Sequence, residues 1–337
     1  MCVSPEQAKA NCKNHGLRFD NHLICGSPDT MLFDRHRQLF TMTGSPGDKE
    51  GSAIRTLTRV RLTRLDKVLY PAVQVTKSDI LTYYIRAAPR MLPFLHDRPL
   101  TMHRFPDGIE GEGFFEKDAP SGAPAYVETF TRWSETAERD VHFVLCNNLD
   151  TLIWIANLAS LEIHTTLSTA SSYTSPDLLL FDIDPEPPLA FDDVIDVAHS
   201  VRGHLEARGI EPFVKTSGKK GVHIVVPLIP GYSFQEVREF AHRIGKEIAR
   251  DTPNVVSEFP RSRDPGTVFI DYLQNAHGKT MAAPYSLRAT PDATVSTPLR
   301  WEELRHGVRS QDFNVKTVIS RDEDPWRGIF DTRQKIR

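Results

Sequence analysis

Cysteine is scarce. The 337-residue chain has four (Cys2, Cys12, Cys25 and Cys146), none in a C-x-x-C pair, so neither a disulfide framework nor a redox dithiol is expected. A zinc site drawn from Cys12, His15, His22 and Cys25 fits no regular finger spacing. No apolar run approaches the ~20 residues that would span a bilayer. Met1 to Asp20 lacks an apolar core of the signal-peptide kind, so a cytoplasmic location without membrane association is expected. The formal net charge of −3 excludes a globally basic nucleic-acid binder and confines any such contact to a local patch. No G-x-G-x-x-G opens a helix, which disfavours a dinucleotide fold, and no G-x-x-x-x-G-K-[ST] loop is present.

What is there is an ordinary globular composition, 39% hydrophobic and 25% charged, in a chain long enough for one large domain or two of usual size. Its centre is Leu178-Leu-Leu-Phe-Asp-Ile-Asp184, followed by Pro185. The continuous apolar run predicts a strand buried on both faces. Asp182 and Asp184, two apart, then share one face while Ile183 takes the other. Two carboxylates so close repel each other and resist burial unless a cation sits between them, and oxygen ligands suit Mg²⁺ or Mn²⁺ better than Zn²⁺. The bland reading is a strand end whose aspartates cap a turn before Pro185 and Pro187.

Residues 1–52 read as a poorly structured leader, with linker composition at Gly44-Ser-Pro-Gly-Asp48. Arg55, Arg59, Arg61, Arg64 and Lys67 form a basic cluster, either a phosphate-binding edge or a solvated strand. A helix is expected from Lys77 to Arg86, capped by Thr76 or Ser78, with Pro89 and Pro93 near its end. Thr101–Phe105 and Gly113–Lys117 are short strands. The adjacent Phe114 and Phe115 point to opposite faces, so at least one should be core, leaving the other as a platform for a stacked base. Asn148 caps an apolar helix to Ala159, leading to Leu161-Glu-Ile-His164, where a buried, satisfied histidine is the ordinary expectation. After the acidic strand come a helix (191–208), a strand (212–216), the turn Ser217-Gly-Lys-Lys-Gly221 and a strand (222–226). A helix with a Ser233/Glu236 capping box and a strand ending in Asp271 complete the series.

That order is β-α-β-β-α-β, the ferredoxin-like or split βαβ arrangement. The first and last strands are then neighbours, setting Asp271 beside Asp182 and Asp184. Three clustered carboxylates can hold two divalent ions about 3.5–4 Å apart, the clamp used in phosphoryl displacement. The 217–221 turn adds backbone N–H groups, a hydroxyl and two ammonium groups suited to phosphates; its plain reading is a hairpin with solvated lysines. A simple sheet of this order is expected to set that turn at the opposite strand end from Asp184.

These blocks, in this order and spacing, carry a resemblance. With Leu65-Asp-Lys-Val-Leu-Tyr-Pro71, Arg98-Pro-Leu-Thr101, Arg104-Phe-Pro-Asp-Gly108, Phe114-Phe-Glu-Lys117, Leu161-Glu-Ile-His164, Asp271-Tyr-Leu-Gln-Asn275 and Pro284-Tyr-Ser-Leu-Arg288, the chain resembles the polymerase module of prokaryotic non-homologous end-joining ligase D, in the archaeo-eukaryotic primase superfamily, from about Leu62 to Trp326. The resemblance implies an α+β fold: an N-terminal α/β module (53–165) that contacts DNA, fused to a catalytic palm-like module (166–337). It implies metal binding and catalysis by Asp182, Asp184 and Asp271. Nucleotide contacts are implied for His164, Ser217, Gly218, Lys220, His223, Arg263, Gln274 and Arg288. DNA contacts are implied for Lys67 and Lys77 (on a 5′-phosphate), Arg104, Phe114, Phe115 (on template bases) and Lys117. Tyr126 stands where the family often has Trp, and Gln274 where some relatives have Arg.

The implied activity is template-directed addition of ribo- or deoxynucleotides across short gaps or broken ends, with two Mn²⁺ or Mg²⁺ ions and an NTP or dNTP. The implied partners are gapped or broken duplex DNA with a 5′-phosphate and, no ligase module being attached, a separate ligase and a Ku-like end-binding protein in trans. The expected protein is a nucleoid-associated prokaryotic monomer. Base-excision gap filling and primer synthesis are alternatives within the superfamily. A haloacid-dehalogenase-type phosphatase with Asp182 as nucleophile, and a non-catalytic end-binding module, are rivals outside it.

Overall fold

The structure is a computed structural model describing residues 58–135, 137–258 and 265–336; the leader, its cysteines and Arg263 lie outside these. A short pair, β1 (Val68–Tyr70) and β2 (Val75–Thr76), leads into helix α1 (Lys77–Leu95). Strands β3 (Leu100–Arg104), β4 (Phe114–Glu116), β5 (Glu128–Ser134) and β6 (Arg139–Leu145) precede helix α2 (Leu149–Asn157) and strand β7 (Ser160–Thr166). Then come β8 (Leu178–Pro185), α3 (Asp193–Glu206), β9 (Phe213–Thr216), β10 (Val222–Pro227) and α4 (Phe234–Asp251). Short strands β11 (Val255–Val256), β12 (Val268–Asp271), β13 (Thr280–Ala282) and β14 (Pro298–Leu299) follow, with short 3₁₀ turns between and after them.

The helices start where their caps place them. Thr76 and Asp79 form a reciprocal capping box for α1, Ser233 and Glu236 another for α4, and the Asn148 side chain accepts the Thr151 amide at 2.9 Å to open α2. Helix α1 overruns its expected end, passing through Pro89 and Pro93. Each proline costs it a backbone hydrogen bond, but Met91, Phe94 and Leu95 lie beyond Pro89 and are all buried. Burying such side chains stabilises by roughly 1.5–3 kcal/mol apiece, enough to hold the last turns helical. The hairpin β5–β6 carries no glycine or proline in its turn and had no counterpart in the sequence reading.

Two sheets position everything else. A six-stranded sheet runs in the order β11-β12-β8-β10-β9-β14, with β8 antiparallel to both β10 and β12. Its back is packed by α3 and α4, where Leu179, Phe181 and Ile183 meet Val194, Val201, Val237 and Ile244. Its front shares a core with the first half of the chain: Leu178 and Leu180 join Tyr84, Ile163, Met281 and Trp326. A four-stranded sheet, β13-β7-β3-β4, is completed by β13 from the second half, so the expected boundary near residue 165 cuts neither core nor sheet cleanly. Among the described residues, no helix is long and apolar enough to cross a membrane.

Candidate nucleotide and metal site

Where the apolar run of β8 ends, its front-face positions turn acidic. Register sets Asp182 opposite Asp271 on β12 and opposite His223 on β10, and His223 opposite Lys215 on β9. Cross-strand partners share a face, so Asp271, Asp182, His223 and Lys215 make one row, with Asp184 two residues further along β8. His223 Nε2 lies 3.2 Å from Asp182 Oδ1. Lys215 Nζ lies 2.8 Å from His223 Nδ1 and donates to Ser296 Oγ at 2.5 Å. Burial, with the charge of Arg288 adding to it, pushes Lys215 well below the ordinary lysine range. Burial also lowers His223, and Lys215 and Arg288 add to the effect. A neutral imidazole accepting at Nδ1 then presents its proton at Nε2 to Asp182.

Burial raises Asp271, and the charge of Asp182 raises it further, against hydrogen bonds from Leu273 and Gln274 that hold it down. Like charges under partial desolvation are what a cation relieves. Among the described residues no three His, Cys, Asp or Glu side chains form a ready-made metal cage. Asp271 instead accepts the Leu273 amide at 2.8 Å and Gln274 Nε2 at 3.3 Å. This donor set does not fit structural zinc, which wants a closed tetrahedron. It fits Mg²⁺ or Mn²⁺, hard ions that take one or two carboxylates and complete their shell with water and substrate phosphates.

The turn 217–221 does not lie at the far end of the sheet. Strand β9 is antiparallel to β10 and β10 to β8, so β9 runs parallel to β8 and its following turn arrives beside Asp184. Contact there is close: a Cβ on Gly221 would fall 2.4 Å from Asp184 Oδ1 and from Ile183 O. Gly218 has φ +75°, and a Cβ on it would meet Arg288 Cγ at 2.6 Å. Ser217 Oγ accepts the amides of Lys219 and Gly221, and Arg288 Nη1 donates to Ser217 O at 2.6 Å. The hydroxyl therefore braces the turn itself.

Asp182, Asp184, Ser217, Gly218, Lys220, His223 and Arg288 all line one open cavity of about 500 Å³, together with Lys219. Asp271, and Gln274 which donates to it, are not among the residues that line the cavity. His164, on β7, lies 3.0 Å from Glu162, and burial lowers its pKa against the pull of that carboxylate. The sequence reading gave no role to Lys215 or Glu162. Lys215 sits two residues before the 217–221 turn, and Glu162 lies inside the quoted Leu161–His164 block; only the fold shows what each touches.

On the expected DNA side, both rings of the aromatic pair are exposed, Phe114 at 44% and Phe115 at 63%, so neither is core. Strand β4 is the edge of its sheet. Phe115 stacks on His103 with ring centroids 3.9 Å apart and planes at 14°. Arg104 reaches over Phe114 and pairs with Glu116 at 2.8 Å. Lys117 follows directly on β4. Lys77 is buried, its pKa lowered to about 8 by burial and then by Arg64 and Lys67. The basic cluster is less unopposed than its sequence suggested: Arg59 pairs with Asp150 and Lys67 with Asp107, each at 2.7 Å.

Mixed α+β architecture, clustered strand-end carboxylates and a braced phosphate-suited turn define the class, a nucleotidyltransferase domain. A family model described as the LigD primase-polymerase domain matches residues 76–326. The chain belongs to that family. It is 36% identical over 251 residues to the multifunctional non-homologous end joining protein LigD of Mycolicibacterium smegmatis, covering 73% of this chain and 32% of that one. It is 31% identical over 275 residues to the bifunctional LigD of Bacillus subtilis, covering 81% and 44%. The solved polymerase domain of Mycobacterium tuberculosis ligase D, in complex with DNA, superposes with a TM-score of 0.74 at 32% identity, covering 82% of this chain and 99% of that one. The chain thus spans less than half the length of these curated relatives. The phosphatase alternative leaves this match unexplained.

Proposed function

We propose that this chain is a template-directed polymerase that extends a primer 3′-OH across short gaps or broken ends in non-homologous end joining. One observation carries the reading: antiparallel register sets Asp271 beside Asp182 and brings the 217–221 turn to the strand end of Asp182 and Asp184, where those two carboxylates and the turn line one cavity. The primer oxygen bonds to the α-phosphorus of the incoming nucleotide, the α–β bridging bond breaks, pyrophosphate leaves, and the hydroxyl proton goes to solvent. Lys219, Lys220 and Arg288 offset the triphosphate charge, and the His223–Asp182 contact fixes the orientation of one carboxylate. Asp182, Asp184 and Asp271 would hold two divalent ions, Mg²⁺ or Mn²⁺, which would supply Lewis acidity for the displacement.

The substrate is duplex DNA with a gap or break and a 5′-phosphate, and ribonucleotides are accepted. The 5′-phosphate is gripped by Lys67 and Lys77, and template bases stack on Phe114 and Phe115 beside Arg104 and Lys117. The relative solved with DNA supports this side of the reading. The sheet core β12-β8-β10-β9 is read as a ferredoxin-like palm on the strength of its order and antiparallel pairing. A ligase and a Ku-like protein act with it on the same ends. The test is extension across a gap of one to three nucleotides with each sugar and each metal. Templated addition that depends on Asp182 supports the reading, and its absence from folded, metal-supplied protein defeats it.

A further inference from the structure

Glu162, on β7, is 1% exposed and sits behind the cavity wall. Its two carboxylate oxygens face different parts of the molecule. Oε1 accepts the Ala289 amide at 2.9 Å and lies 3.1 Å from Lys219 Nζ and 3.3 Å from Arg288 Nε. Oε2 lies 3.0 Å from His164 Nε2 and 3.4 Å from His103 Nδ1. His103 carries the stacked ring of Phe115, and His164 meets the same ring edge-on at 6.0 Å.

A carboxylate offers about four lone-pair sites, and five donors converge on this one. The shortfall is visible on both sides: His103 Nδ1 and Arg288 Nε are buried without a well-directed hydrogen bond. With donors outnumbering the acceptor sites, they compete for one carboxylate. Lys219, half-exposed toward the cavity, is the donor an incoming phosphate reaches most easily. Drawing Lys219 or Arg288 off Oε1 leaves more of the charge for the histidines, and firmer seating of His103 sets the Phe115 ring above it.

We propose that Glu162 is a positioning residue that couples nucleotide binding to template binding, one oxygen serving each side. This rests on the polymerase reading, which assigns the turn and Arg288 to the triphosphate and Phe115 to a template base. The test measures affinity for a fluorescent nucleotide with and without a gapped template. In the wild type the template should tighten nucleotide binding; an affinity indifferent to the template overturns the coupling. Phe115→Ala and Glu162→Gln should each cut that gain about fivefold or more, and the double variant should lose no more than either single one. In steady state the Glu162→Gln loss should fall on the nucleotide KM on templated gaps rather than on kcat. Additive losses, or a Glu162→Gln loss equal with and without DNA, overturn the coupling. Should Glu162→Gln fold poorly, the Lys219→Ala and Phe115→Ala cycle leaves Glu162 in place; non-additivity supports the coupling and additivity overturns it. A wild-type chain without Asp182-dependent templated extension overturns the polymerase reading, and the coupling with it, before any variant is compared.

Discussion

The strand-end site and the aromatic edge are built on opposite principles. At the end of β8 the groups are charged, crowded and mostly withdrawn from solvent, each held by neighbours: His223 against Asp182, Lys215 against His223, Ser217 within its own turn. At β4 the groups are apolar rings left in water, with Phe115 at 63% exposure stacked on His103 and met edge-on by His164. On the proposed function the first arrangement would serve chemistry, where displacement of a reacting atom by an ångström is costly. The second would serve binding to a surface that supplies the missing layer itself, since any base presents a face to stack upon. Variants of the first should therefore cost rate, and variants of the second affinity.

The sharpest break of that contrast is Asp182→Ala. Gap extension should fall on the order of 10³-fold or more, as for loss of a group that stabilises transition-state charge. Thermal unfolding should not be lowered, because removing one of several repelling carboxylates relieves strain. A folded variant that still extends would remove Asp182 from the chemistry. Next is Gly221→Ala, whose new methyl has no room against Asp184 and Ile183. Overpacking of this kind costs about 1–3 kcal/mol, so a lowered melting temperature and a slower extension rate should appear together; a neutral variant would mean the turn stands off from β8.

Phe115→Ala tests the other region. Loss of one stacking ring costs about 1–3 kcal/mol of template affinity, read by titrating gapped DNA, while the unfolding midpoint stays put because the ring is exposed. Smaller still is the joint change Lys67→Ala with Lys77→Ala. It should abolish the preference for a 5′-phosphate and reduce the salt slope of DNA binding by roughly one to two; an unchanged preference places the phosphate elsewhere. The mildest effect is with pH. Lys77 carries its charge below about 8 and loses it above, so the 5′-phosphate preference should fade as pH rises through that value. Lys77→Arg, charged throughout, should keep it flat. A wild-type preference that holds steady to pH 9 would show that Lys77 does not supply the attraction.

Much of this was legible from residues alone, because it is local. A continuous apolar run ending Asp-x-Asp fixes strand, burial and the shared face of two carboxylates by alternation. Asn148 and Ser233 announce helix starts, and Thr76 or Ser78 a third that the structure gives to Thr76, because a cap needs only its own next three residues. The limits were just as physical. Pro89 and Pro93 predict a helix end from local cost, and buried Met91, Phe94 and Leu95 override it. Phe114 and Phe115 predict one buried ring from alternation, but on the edge strand β4 the two rings stay exposed on both faces.

By itself, then, the sequence determined the acidic strand and the helix starts, which residues carry charge, and that Asp182 and Asp184 share a face, since all of these follow from period and propensity over a few residues. Only the tertiary structure decided that the 217–221 turn sits beside Asp184, that Lys215 stands behind His223, and that Glu162 divides its oxygens between two sites. Those are matters of register and packing between residues from 8 to more than 120 positions apart, and no short-range pattern in the chain encodes them.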